Sequence, residues 1–237
     1  YGIENELLPA LLFIGIGAMS DFSSLIKKPM LLIFAAAGQL GIFAALNLAL
    51  SLGFTPLEAS SVGVIGAMDG PTAIFVAQRF APHLLGPITV CAYSYMALVP
   101  LLQIPLSRLL TSEKERRIAM EYAPGELPRV VRVGFPIVVF LAVALIAPMG
   151  TLLIGTLMLG NLMRESGVVK RLSDAAENEL SSIVTLLLGI TIGGTMTAEA
   201  FLNVTTLYVF GLGLVAFVFA IASGLVFAKI ASAATGG

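Results

Sequence analysis

The chain has 237 residues, 58% of them hydrophobic and 11% charged, with a formal net charge of −1 and a mean hydropathy of +1.00. A soluble domain carries about 25% charged residues, so this composition excludes a water-coated globule, and the near-neutral charge argues against nucleic acid as a partner. One cysteine, Cys91, and one histidine, His83, exclude a disulfide framework, a Cys/His zinc site and an iron–sulfur cluster. The expected fold is all-α: a polytopic transmembrane bundle, because the apolar runs approach the ~20 residues a crossing helix needs and lack the alternation of a membrane barrel. Twenty-four glycines and 12 prolines are many for such helices and point to broken or re-entrant ones.

In chain order, the run 7–19 is short, and with no Met or basic segment before it the chain reads as part of a longer one. Residues 30–54 form a full crossing, and 57–80 an apolar run broken at Asp69-Gly70-Pro71. Residues 84–104 cross again, with Pro100 inside and Pro105 at the end. The run 135–149 ends at Pro148-Met149-Gly150 and is followed by a short run, 151–163, then by 182–196 and 207–227. Basic residues gather in the polar stretches between: Lys27-Lys28; Arg108, Lys114, Arg116, Arg117, Arg129 and Arg132; and Arg164, Lys170 and Arg171. The positive-inside rule puts all three in the cytoplasm.

An even number of crossings must then separate Lys28 from Arg108. Residues 30–54 and 84–104 supply two, so 57–80 enters and leaves by one face, turning at Asp-Gly-Pro. The alternative places Lys27-Lys28 outside and lets the broken run cross once. Ile16-Gly17-Ala18-Met19-Ser20-Asp21 resembles Ile192-Gly193-Gly194-Thr195-Met196-Thr197, each followed by a crossing but with opposite orientation by the charge rule. That is an inverted-topology repeat, an arrangement that places ion sites near the midplane between broken helices. The expected organisation is a first repeat at 1–110, a cytoplasmic loop at 111–134, and a second repeat at 135–237, incomplete at its C-terminus. Asp69 lies 52 residues after Gly17, and the same interval from Gly193 passes the last residue.

Gly66-Ala67-Met68-Asp69-Gly70-Pro71-Thr72 is the stretch with chemistry. A carboxylate at the bilayer centre costs about 2.5–3.5 kcal/mol on insertion scales and is seldom left without a partner or a task. Gly70 and Pro71 break the helix and free carbonyls. With the Asp69 carboxylate and the Thr72 hydroxyl these make a hard-oxygen set suited to Na⁺ at Asp69, Gly70 and Thr72, and a desolvated carboxylate without its cation favours a proton. The alternative is a solvated surface turn, since Asp-Gly and Gly-Pro are common turn formers. In Ala92-Tyr93-Ser94-Tyr95-Met96 the tyrosines read as interface-belt residues or as proton donors, with Ser94 able to face the Asp69 segment. Gln39 and Asn47 read as helix–helix hydrogen-bonding amides, Asn161 and Arg164 as interfacial or cavity-lining residues, and His83 and Cys91 have no assigned role. No catalytic triad is spaced for nucleophilic catalysis, Asp21, Glu58 and Glu199 sit at run ends, and no phosphate-binding Gly-Lys loop is present.

From Gly66 to Phe75 the sequence resembles the β subunit of the sodium-pumping biotin-dependent decarboxylases, which act on oxaloacetate, methylmalonyl-CoA, glutaconyl-CoA or malonate. The likeness continues through residues 92–100, 111–116, 160–169, 171–174 and 198–202. It departs where Ala67-Met68 stands in place of the usual Gly-Ala before the aspartate. The resemblance implies a multi-pass subunit of a bacterial or archaeal cytoplasmic membrane that decarboxylates carboxybiotin carried by a partner, consumes a proton and exports Na⁺. It also implies a biotin carrier, a carboxyltransferase α subunit, a small membrane γ subunit and an oligomer of β subunits as partners. Asp69 would bind Na⁺ and exchange it for H⁺, and Tyr95, with Tyr93 second, would relay the proton or orient carboxybiotin. A polar C-terminal helix of the family would lie beyond residue 237, so this stretch alone is not expected to pump. The alternative function is a secondary Na⁺/H⁺-coupled transporter without biotin chemistry, and a third is a membrane scaffold.

Overall fold

The computed structural model describes residues 6–117, 127–194, 197–198 and 202–235. These are helical apart from short turns, with no strand among them. Among the described residues, five helical stretches are long and apolar enough to cross a membrane: Met30–Ser51, Pro82–Leu110, Arg129–Ile146, Lys170–Gly194 and Val204–Ala233. The chain divides into two compact units, each drawing on early and late sequence: Tyr1–Lys28 with Ala123–Gly194, and Pro29–Tyr122 with Thr195–Gly237.

The first unit is built around α1 (Leu7–Met19) and α10 (Thr151–Ser166). Their backbones touch through glycine. A Cβ on Gly17 would stand 1.9 Å from the Leu157 carbonyl oxygen, and one on Gly160 1.9 Å from that of Ile14. Small residues at the contact are how apolar helices associate in lipid, where no hydrophobic force draws them together. α1 stops because Ser20 turns extended and folds its hydroxyl back onto the Ile16 carbonyl at 2.7 Å. Asp21 then accepts the Ser23 N–H at 2.8 Å at the start of α2 (Ser23–Lys27). The stranded carbonyls are met from α10: Asn161, 1% exposed, donates to the Ser20 oxygen at 2.8 Å and Arg164 to that of Met19 at 2.5 Å. Asn161 and Arg164 therefore cap a broken helix. A cation at a helix C-terminus also offsets its negative dipole end. Glu165 holds Arg132 at 3.3 Å and Arg164 at 3.8 Å.

Two helices of this unit start earlier than the apolar pattern predicts. α9 (Arg129–Ile146) takes in both arginines of its approach, because Arg129 reaches the Ser166 carbonyl and Arg132 reaches Glu165. α11 (Lys170–Ala175) draws the polar stretch after Arg164 into a helix stabilised by the Lys170–Asp174 pair, four residues apart at 3.1 Å. Through a π-helical turn at Ala176–Leu180 it continues into α12 (Ser181–Gly194). The second copy of the expected repeat includes Thr195 and Met196, which lie outside the described residues, as does Glu199.

In the second unit α3 (Met30–Gly38) and α4 (Leu40–Ser51) make one span with a break at Gln39. α5 (Pro56–Gly63), a 3-10 turn (Val64–Ala67) and α6 (Gly70–Phe80) follow. A second 3-10 turn (Pro82–Leu84) leads into α7 (Leu85–Leu110), which runs through Pro100 and Pro105. The short α8 (Glu113–Arg116) opens the polar stretch, and α13 (Val204–Thr235) packs against α3, α4, α7 and the broken segment. Val62, Ile65, Ala73, Ile88, Cys91, Val209 and Phe217, buried where these elements meet, form its core. Asn47 is exposed and bonds its own helix at the Phe43 carbonyl, 2.7 Å away, and Gln39 is likewise exposed. The expected cross-helix bond is absent for Asn47 because the i−4 carbonyl is the nearer acceptor.

The α1–α10 contact is directly testable. Gly160→Ala is expected to destabilise the protein by about 1–3 kcal/mol through overpacking. Gly193→Ala, whose Cβ would meet nothing within 4 Å, is expected to change stability by less than about 0.5 kcal/mol. Thermal unfolding of both variants in detergent checks this.

Candidate functional site at the broken helix

The segment between α4 and α7 is a hairpin. Its first turn and its last are in contact, with His83 Nε2 at 2.8 Å from Glu58 Oε1, although 25 residues separate them. Thr55 starts the first arm with a reciprocal cap: its hydroxyl accepts the Glu58 N–H at 3.4 Å, while Glu58 Oε2 accepts the Thr55 N–H at 2.8 Å and the Thr55 hydroxyl at 2.7 Å. Pro56 at the first helical position suits that start. The second arm, α6, has 11 residues and at 1.5 Å per residue is about 16 Å long, close to half of a ~30 Å hydrocarbon layer.

The tip owes its shape to four consecutive residues. Met68 is left-handed, with φ 58° and ψ 31°, and Asp69 is extended. Such a conformation costs a non-glycine residue about 1–2 kcal/mol. Gly70 and Pro71 then open α6, and Pro71 has no N–H to return to the Ala67 carbonyl. Asp69 stands at the N-cap but makes no side-chain bond to the helix backbone. Its Oδ2 instead accepts the Thr72 hydroxyl. Asp69 and Thr72 are both half-buried, and Gly70 is buried. Asp69, Gly70 and Thr72 thus come together at one helix break, the N-terminus of α6.

The two tyrosines of α7 part company. Tyr93 walls the tip: a Cβ on Gly70 would sit 2.5 Å from Tyr93 Cζ. Tyr95 turns to α13 instead, donating its hydroxyl to the Phe210 carbonyl at 2.7 Å, with its ring 5.6 Å from that of Phe217. Ser94 is exposed and takes no part in the tip. The Glu58–His83 contact escapes a reading by composition, although Thr55-x-x-Glu58 is a capping-box signature that marks where the first arm begins. No group of three or more His, Cys, Asp or Glu suited to a metal ion occurs among the described residues, so a cation here would rely on one carboxylate with hydroxyl and carbonyl oxygens.

The packing of Tyr93 on Gly70 predicts the behaviour of a double-mutant cycle. Gly70→Ala is expected to cost about 1–3 kcal/mol of stability by forcing the ring away. Tyr93→Ala in the same chain should return most of that loss. Strictly additive losses in thermal unfolding would mean that the ring does not wall the tip.

Comparison with known proteins extends the argument to the whole chain. Residues 1–237 match the family described as Na+-transporting oxaloacetate decarboxylase beta subunit. Similar proteins include the methylmalonyl-CoA decarboxylase subunit beta of Veillonella parvula, 50% identical over 100% of this chain and 63% of the relative. That of Propionigenium modestum is 53% identical over 96% of this chain and 58% of the relative. The glutaconyl-CoA decarboxylase subunit beta of Acidaminococcus fermentans is 49% identical over 100% of this chain and 63% of its own length. The chain thus spans about three fifths of the curated relatives it matches. With five apolar helices long enough to cross a bilayer and a family match over its entire length, this multi-pass membrane chain belongs to the beta subunits of the Na⁺-transporting decarboxylases.

Proposed function

We propose that this chain carries the Na⁺ pathway of a decarboxylase β subunit, with Asp69 binding Na⁺ and exchanging it for a proton. The observation that carries this reading is the helix break itself, where the Thr72 hydroxyl meets the Asp69 carboxylate and Pro71 supplies no N–H for the Ala67 carbonyl. These are hard oxygen donors of the kind alkali cations accept, and the donor set suits Na⁺ as cargo. Ionised Asp69 attracts the cation, and protonated Asp69 has no charge to hold it. The α6 N-terminus opposes a cation at the same place, which keeps the site weak enough to release its ion.

Carboxybiotin on a partner subunit supplies the energy, since its loss of CO₂ consumes one proton. The residues here take up, hold and pass that proton. Tyr93, beside the tip, is the side chain placed to exchange it with Asp69, and Tyr95 fixes α7 against α13 through the Phe210 carbonyl. Moving one charge against 100 mV requires about 2.3 kcal/mol, and the sequence contains no nucleotide-binding loop. A biotin carrier, a carboxyltransferase and a small γ subunit are the partners this function calls for, in an assembly with several β subunits.

The test uses the full-length protein in its complex, reconstituted in liposomes. Asp69→Asn is expected to lower Na⁺-dependent CO₂ release by at least about 100-fold with the thermal unfolding temperature retained. Wild-type Na⁺ dependence in that variant would remove the site. Avidin added to sequester the biotin carrier should stop Na⁺ movement, whereas continued movement would mark a secondary transporter. Tyr95→Phe removes the hydroxyl bond to the Phe210 carbonyl and should cost about 1 kcal/mol of stability together with slower turnover, while Tyr93→Phe should slow turnover with a changed pH profile.

A further inference from the structure

The base of the hairpin carries a second pair of ionisable groups, far from the tip. One Glu58 carboxylate does two jobs there. Its Oε2 completes the cap on α5, and its Oε1 meets His83 in the turn that leaves α6. Both anchors are stiff: Glu58 is fixed by its reciprocal bonds with Thr55, and His83 follows Pro82 in a 3-10 turn. The side chains are 22% exposed for Glu58 and 61% for His83, so the pair lies at the surface of the chain. By the charge rule this is the face opposite Lys27-Lys28, because one crossing, Met30–Ser51, separates them.

We propose that Glu58 and His83 form a proton-sensitive clasp that holds the two arms of the hairpin together and thereby positions the ion-binding tip. This inference rests on the reading of Asp69 given above. The oxygen set at the tip is divided between the arms. The Ala67 carbonyl ends the first, while Asp69 and Thr72 begin the second, with only left-handed Met68 between them. Separating the arms at the base rotates them about Met68 and pulls the two halves of the set apart. Histidine is the side chain whose charge changes between about pH 5 and 8, and a protonated imidazole binds a carboxylate more strongly than a neutral one. A protonated His83 therefore tightens the clasp, and a neutral one loosens it. On the surrounding elements, Arg79 of α6 stands over the Phe75 ring at 5.9 Å and Tyr208 of α13 meets Phe54 edge-on at 6.5 Å. The groups that act on the Glu58 carboxylate are Thr55 and His83. Glu58 and His83 are positioning residues, since neither touches the tip.

Hydrogen exchange of the full-length protein in lipid nanodiscs tests the clasp without relying on turnover. After correction for the intrinsic pH dependence of exchange, hairpin amides of the wild type should exchange about three- to fivefold more slowly at pH 6 than at pH 8.5. His83→Gln should exchange at the faster rate at both pH values. His83→Lys, which stays cationic, should exchange at the slower rate at both. A flat wild-type profile, or a His83→Lys profile matching His83→Gln, overturns the clasp. At pH 6 the Na⁺ concentration giving half-maximal protection of the tip should rise about three- to fivefold in His83→Gln, and an unchanged value overturns the positioning role. Asp69→Asn separates the two claims. If Na⁺ protects the tip equally in that variant and in the wild type, the ion site at Asp69 fails, and with it the positioning role, while the pH response of the arms still decides the clasp.

Discussion

Lipid offers no hydrogen bonds, so any backbone group that a broken helix releases must find its partner within the protein. Among the described residues, two helix breaks draw much of the polar chemistry: the end of α1 and the tip of the hairpin. At the end of α1 the partners come from another helix: Asn161 and Arg164 of α10 donate to the Ser20 and Met19 carbonyls. At the hairpin tip the partners are local. Thr72 occupies Asp69, and the Asp69 carbonyl accepts the Ala73 N–H at 3.0 Å. The first break is closed by a cation and an amide. The second keeps a half-buried carboxylate beside a proline that supplies no N–H for the Ala67 carbonyl.

Glycine and alanine make both arrangements possible. α1 and α10 approach until backbone meets backbone at Gly17 and Gly160. Around the hairpin, Ala45, Ala49, Ala59, Ala73, Ala77 and Ala81 are buried at or near full enclosure. Gly66 lies with its α-carbon face on the backbone of Gly41 and Ile42. Packing by van der Waals contact over small residues replaces the hydrophobic drive that a bilayer removes. It also leaves little slack, so a shift of one arm of the hairpin is carried to the tip. Bulky side chains face outward: Val138, Leu141, Leu145 and Ile146 on α9 and Ile183, Leu186 and Ile190 on α12 are all more than half exposed, as a lipid-facing surface requires.

The polar ends of the helices show the same economy. Glu115 accepts from the Ser112 N–H and hydroxyl, which hold its carboxyl below the usual range, and Lys229 stands 3.4 Å away at the far end of α13. Asp21 is likewise held below the usual carboxylate range, first by the Ser23 hydroxyl and N–H and then by Arg164 and Lys27. Charges at the water boundary are thus engaged in caps and pairs. They anchor helix ends at the interface and leave the spans apolar.

Composition and pattern alone determined that the chain is a helical membrane protein, that its third apolar run breaks at Asp69-Gly70-Pro71, and that it is kin to the decarboxylase β subunits. Those conclusions follow from local chemistry: the cost of charge in lipid, the missing N–H of proline, and the order of short motifs. Only the tertiary structure decided which side chains meet. Tyr93 and Tyr95 are two residues apart and so point about 200° apart around a helix, and it took the packing of α6 and α13 against α7 to bring the first onto Gly70 and the second to Phe210. In the sequence Glu58 stands only at a run end and His83 has no assigned role, and the fold brings them together at 2.8 Å. Asn161 and Arg164 carried no sign of which carbonyls they serve. Each of these pairings depends on the rotation and register of helices far apart in sequence, and a one-dimensional pattern carries no term for that.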